Sequence, residues 1–119
     1  MKNVAVIGAG ITGATLANLL KNKVTITVFE KSRGVGGRMA TRRAEPYQFN
    51  HGAQYFKVEN KEFEYFLQPL MSNKIIKPLE SNQIEILNKK VIKSTKIYNK
   101  KYFTVESKMN SVVKYLISN

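Results

Sequence analysis

The stretch Val4-Ala5-Val6-Ile7-Gly8-Ala9-Gly10-Ile11-Thr12-Gly13, with Val24-Thr25-Ile26-Thr27-Val28-Phe29-Glu30 after it, decides the fold. Residues 2–7 read as a buried strand, 11–20 as a helix, and 24–29 as a second strand with alternating apolar positions. Each glycine of the turn between strand and helix has a mechanical task. Gly8 permits the sharp exit from the strand. Gly10 lacks the Cβ that would keep a pyrophosphate from the backbone. Gly13 lets the helix pack close to the strand. The helix N-terminus then offers unpaired N–H groups and a partial positive charge to phosphate. Glu30, 22 positions after Gly8, ends the second strand. There it can accept hydrogen bonds from both hydroxyls of an adenosine ribose. It predicts a free 2′-hydroxyl and repels a 2′-phosphate. A strand–helix–strand unit with no ligand is the competing reading, and the surrounding strand, helix and acid favour dinucleotide binding.

A second glycine cluster follows at once: Lys31-Ser32-Arg33-Gly34-Val35-Gly36-Gly37-Arg38. A nicotinamide-binding domain needs no Gly-Gly-Arg at this point. The spacing Glu-x-x-x-x-x-Gly-Gly-Arg is similar to that of glutathione-reductase-like flavin oxidoreductases. Paired glycines give close backbone access, and an arginine neutralises phosphate charge. Arg42 and Arg43 read as solvated basic residues. Arg38 does not, because two glycines would make an ordinary surface loop needlessly flexible.

The run Phe29-Glu30-Lys31-Ser32-Arg33-Gly34-Val35-Gly36-Gly37-Arg38-Met39-Ala40-Thr41-Arg42-Arg43, with Phe49-Asn50-His51-Gly52-Ala53-Gln54-Tyr55-Phe56, resembles the renalase-like family of FAD-dependent amine oxidase relatives. Tyr102–Val105 and Met109–Leu116 resemble that family's later strand and helix. The resemblance implies noncovalent FAD that accepts a hydride and passes electrons to oxygen. It implies a small-molecule substrate of the dihydronicotinamide or amine class. It places Gly8, Gly10, Thr12 and Gly13 at the pyrophosphate and Glu30 at the ribose, and counts Ile11, Lys31 and Ser32 among the cofactor-binding residues. Gly36, Gly37 and Arg38 fall on the diphosphate and ribityl path, and Gln54 and Tyr55 along the flavin ring. No general base is evident, and hydride transfer needs none. Two positions depart from the family pattern. Asn50 stands where an Asp is usual, and Glu106-Ser107-Lys108 replaces a turn containing Pro or Gly.

Composition closes off other chemistries. The 119 residues carry 20 Lys+Arg against 8 Asp+Glu, a net charge of +12, and all eight acids are Glu. There is no Cys and one His, which excludes disulfides, thiol nucleophiles, a zinc thiolate cage and a Ser-His-Asp triad. His51 reads as a turn residue rather than an acid or base. Residues 31–43 carry net +5 and residues 74–119 net +7. The latter are lysines spread over short strands and match no nucleic-acid motif, so a solvated surface is expected there, not a nucleic-acid face. No apolar run is long enough to span a bilayer, and the glycines interrupt the signal-like start, so a cytoplasmic protein is expected.

Further along, 40–43 and 47–50 read as strands around Glu45-Pro46. The cleanest helix is 60–71, capped by Asn60, with Phe63, Phe66, Leu67, Leu70 and Met71 as one apolar stripe for the core and Pro69 distorting its last turn. Residues 74–78, 83–87, 91–98 and 101–106 read as short strands, the last two joined near Asn99-Lys100, and 109–117 as a closing helix. The expected class is therefore α/β. It comprises an incomplete FAD/NAD(P)-binding Rossmann-like βαβ unit followed by a small antiparallel sheet with helices. Residues 1–57 would be the N-terminal part of the FAD-binding domain, and 58–119 the start of a substrate domain. Two strands are too few for such a sheet, and Val4, Val6, Ile7, Val24, Ile26 and Val28 lack evident partners. The chain thus reads as the N-terminal portion of a flavoenzyme. A C-terminal part on a separate chain is a possible partner, and an inactive dinucleotide-binding remnant is the alternative function.

Overall fold

The computed structural model describes residues 1–97 and 101–118. Strand β1 (Asn3–Ile7) leads through the glycine turn into helix α1 (Ile11–Leu20), and β2 (Thr25–Phe29) returns beside β1 in parallel. Val4 lies opposite Ile26 and Val6 opposite Val28. The two-residue period divides the faces. Val4, Val6, Ile26 and Val28 are the covered side chains, and Val6 is buried along with Ala14 and Ala17 of α1. These valines and the isoleucine, expected to lack partners, therefore have one in α1. The opposite face carries Ala5, Ile7, Thr27 and Phe29. Ile7 and Phe29 are register partners there, 81% and 53% exposed.

A short 3₁₀ turn (Gly37–Met39) precedes β3 (Thr41–Ala44) and β4 (Tyr47–Asn50), an antiparallel hairpin about a cis Glu45–Pro46 bond. Then come β5 (Phe56–Lys57), α2 (Lys61–Ser72) and β6 (Ile76–Pro78). The chain continues through β7 (Ser81–Leu87), β8 (Lys90–Ile97), β9 (Tyr102–Val105) and α3 (Asn110–Ser118). β9 sits between β5 and β6 in a three-stranded antiparallel sheet. Asn60 caps α2, its side chain accepting from the Phe63 N–H at 2.8 Å. The helix runs through Pro69 to Ser72 and closes by backbone bonds from Lys74 to the Met71 carbonyl and from Ile75 to the Leu70 carbonyl. Lys74 takes the left-handed conformation this closure requires (φ 55).

One expected connection differs. Residues 91–97 pair back on β7 across Asn88-Lys89, both at positive φ, while β9 joins the other sheet. The turn expected at Asn99-Lys100 lies outside the described residues. The core gathers Leu67 and Leu70 of α2, Phe103 and Val105 of β9, and Met109, Val112, Val113 and Leu116 at α3. The stripe predicted on α2 is thus core, with Phe63, Phe66 and Met71 packed partly buried against it. Ala14 joins the same cluster, and Asn18 donates from α1 to the Leu116 carbonyl at 2.9 Å. The first βαβ unit is therefore held on the body of the protein through α3.

Candidate dinucleotide site

The three glycines of the first turn divide by what surrounds them. A Cβ on Gly13 would lie 2.1 Å from the Gly8 carbonyl oxygen and 3.2 Å from Val6 Cγ1, so Gly13 is a packing glycine. Gly8 stands at φ +97, where only glycine is comfortable. Gly10 has no heavy atom within 4 Å of its Cβ position, which leaves the space above the turn open. Gly10 also caps α1 with no side-chain hydrogen bond, so the first-turn N–H groups remain available to an anion. Ile11 and Thr12 occupy that turn. A groove of about 710 Å³ runs over Gly8, Gly10 and Thr12 to Gly37 and Arg38.

The second glycine cluster lies against the first. Gly10 and Gly36 form a parallel bridge, and a Cβ on Gly37 (φ +54) would sit 3.4 Å from the Gly10 Cα. Gly36, at φ +134, is confined by Ala40 and by the Asn110 side chain. Arg38 is thereby carried to the groove, exposed, with Arg42 and Arg43 outside it on β3. Glu30 is held in place before any ligand arrives. One carboxylate oxygen accepts the Ala9 N–H at 2.8 Å, and the other accepts the Ser32 N–H at 2.9 Å and the Ser32 hydroxyl at 2.5 Å. The Ser32 hydroxyl first, and then the two backbone donors, lower the Glu30 pKa from its ordinary 4.5 to about 2. Lys31 is exposed beside it.

Gln54 and Tyr55 stand apart from the groove. Their loop is tied beneath Arg38, whose carbonyl accepts the Ala53 N–H at 2.9 Å. A Cβ on Gly52 would lie 2.1 Å from that carbonyl oxygen, which makes Gly52 a packing glycine the sequence reading left without a role. The Gln54 carbonyl accepts from the Thr104 hydroxyl, and Tyr55 meets Tyr102 edge-on at 6.0 Å. Exposed His51 takes no part in this anchoring. Asn50 does: its Oδ1 accepts from the Met109 N–H at 2.9 Å and from the Thr41 hydroxyl at 2.7 Å. The amide oxygen supplies the acceptor an Asp would have supplied, and it ties β4 to the start of α3. No local pattern announces a bond across 59 residues.

Fold and groove together define a dinucleotide-binding βαβ unit of the Rossmann type, with a second glycine cluster packed against its first turn. The chain belongs to the NAD(P)-binding Rossmann-like domain family, which matches residues 6–70. It is 35% identical over 92 residues to renalase of Mus musculus, a match covering 68% of this chain and 27% of that protein. It is 38% identical over 73 residues to prenylcysteine oxidase 1 of Bos taurus, covering 58% and 14%. A putrescine oxidase structure superposes with a TM-score of 0.55 at 24% identity, over 82% of this chain and 21% of that one, and so shares the fold. The chain thus spans only between 14% and 27% of the curated relatives named here. Among the described residues, no helix is long and apolar enough to cross a membrane, and no cluster of side chains could hold a metal ion.

Proposed function

We propose that this chain contributes the FAD-binding part, and the first portion of the substrate region, of a flavin-dependent oxidoreductase resembling renalase. One observation carries the reading: the Gly36-Gly37-Arg38 cluster lies directly on the Gly8–Gly13 turn and extends its groove with an arginine. The residues present fit the cofactor, since Gly10 leaves open the space a Cβ would fill and Glu30 presents a fixed, ionised carboxylate. In that reading the first-turn N–H groups of α1 and the Arg38 guanidinium take the diphosphate. Glu30, backed by Ser32, accepts from the ribose hydroxyls and turns away a 2′-phosphate. Gln54 and Tyr55 serve the flavin end. Bound FAD supplies a hydride acceptor, and the protein's task is to orient it. Residues 1–57 belong to the cofactor domain and 58–119 to the start of the substrate domain. The substrate is a small dihydronicotinamide or amine, oxygen is the terminal acceptor, further strands come from outside these residues, and the setting is the cytoplasm. The test is a titration of the chain with FAD and with NADP, read by flavin fluorescence and by competition. FAD binding that is weak in these residues alone, and that NADP does not displace, is expected, with no oxidase activity from them by themselves. NADP binding without FAD binding would overturn the reading, and FAD binding with no turnover in the complete protein would leave a dinucleotide-binding module.

A further inference from the structure

Glu30 is more crowded than ribose recognition asks. An ionised carboxylate offers about four lone-pair sites. The protein's own donors take three of them on Glu30: the Ala9 N–H on Oε2 at 2.8 Å, and the Ser32 N–H and hydroxyl on Oε1 at 2.9 and 2.5 Å. At most one site, on Oε2, is left for a ligand. A ribose brings two hydroxyl donors. Of the internal donors, the two N–H groups are backbone, fixed by the fold. The Ser32 hydroxyl is a rotatable group on an exposed side chain, and it has a second acceptor within reach, the Gly34 carbonyl oxygen at 3.2 Å. It carries a single proton to donate.

We infer that the Ser32 hydroxyl is a specificity-determining placeholder: it leaves Glu30 Oε1 for the Gly34 carbonyl when a ribose hydroxyl arrives, so that one ribose hydroxyl is read strictly and the other loosely. The inference deepens the reading of Glu30 as the ribose acceptor and rests on it. The hydroxyl that lands on the open Oε2 site makes a bond with no internal substitute. A ligand lacking it forfeits a charge-assisted hydrogen bond. The hydroxyl that lands on Oε1 only replaces the one already there. A ligand lacking it leaves Ser32 in place and loses almost nothing. Rotation about one side-chain bond makes the exchange, and the Gly34 carbonyl keeps the displaced hydroxyl paired. A serine that merely braced the carboxylate would act on every nucleotide alike.

ADP, 2′-deoxy-ADP and 3′-deoxy-ADP are the probes, titrated into the full chain and followed by the backbone amide signals of Ala9 and Ser32. In the native chain one deoxy nucleotide should bind about tenfold or more weaker than ADP, and the other within about twofold of it. In S32A the tolerated one should fall to about threefold or more below ADP, because no internal hydroxyl then fills Oε1. S32T, which keeps a hydroxyl, should show the native ratios. Equal losses for the two deoxy nucleotides in the native chain overturn the inference. Ratios unchanged in S32A overturn it too, and would make Ser32 a brace only. Failure of all three nucleotides to shift either amide up to about 10 mM overturns the ribose role of Glu30 itself, and the inference with it.

Discussion

Alanine at Gly13 and alanine at Gly10 should have opposite consequences, although the two lie three residues apart in one motif. At Gly13 the new Cβ would sit 2.1 Å from a backbone carbonyl oxygen, that of Gly8. Carbon and carbonyl oxygen rest about 3.3 Å apart or more, so the first turn of α1 must move by about 1 Å. Rotating a side chain cannot relieve a clash with backbone. Overpacking of this kind costs about 1–3 kcal/mol, and the upper end applies here. Alanine's better helix propensity returns about 1 kcal/mol, leaving a net loss of about 2 kcal/mol. For a domain near this size that is a fall in melting temperature of about 8 °C. At Gly10 the Cβ meets nothing within 4 Å, and the backbone (φ −79, ψ −177) is open to any residue. G10A should shift the melting temperature by less than about 4 °C, the effect of a modest cap change. It should nonetheless weaken FAD about tenfold or more, because the methyl occupies the path of the diphosphate. Thermal unfolding followed by far-UV circular dichroism reads the first effect, and flavin fluorescence the second. Equal melting temperatures for G13A and the native chain would refute the close helix–strand contact. Native FAD affinity in G10A would remove the diphosphate from this turn.

Glu30 titrates abnormally low, so any stability it lends is complete above about pH 4.5 and is lost as the pH falls through about 2; S32A should raise its pKa toward the ordinary value, as followed by carboxyl NMR. N50A should cost about 1–2 kcal/mol in urea unfolding by orphaning the buried Met109 N–H and the Thr41 hydroxyl. N50D retains the acceptor at a helix start and should stay within about 0.5 kcal/mol of the native chain. R38A should reduce FAD occupancy measured by absorbance while R42A leaves it nearly unchanged, and equal losses would point to diffuse charge rather than a phosphate clamp.

Legibility in the sequence followed the range of the interactions. Asn60 and the Phe63-to-Met71 stripe specify α2 within one stretch of chain, and its cap and buried face are as read. The Gly8–Gly13 turn is equally local. Strand partners are not. Asn88-Lys89 and Asn99-Lys100 are the same dipeptide, each followed by a lysine, so turn chemistry alone could not say which neighbour residues 91–97 would choose. β5 is two residues long and owes its existence to β9, too little sequence for a period to show. In the site, side-chain chemistry picked out Glu30 and Arg38. The roles of Ala9, Asn50 and Gly52 rest on backbone donors and acceptors brought close by folding, which residue type does not announce.

The peptide groups flanking Ala9 bind the two glycine motifs into one object. The Ala9 N–H is spent on Glu30, and its carbonyl on the Gly36 N–H at 2.9 Å. Both bonds are made by the backbone of the buried Ala9, and both fail if the segment from 30 to 36 is replaced by one of another length. The two motifs can therefore be moved only together. Grafting the first turn into a foreign scaffold would import a phosphate loop without the brace that shapes it, and the smallest transplantable unit of this site runs unbroken from β1 to Arg38.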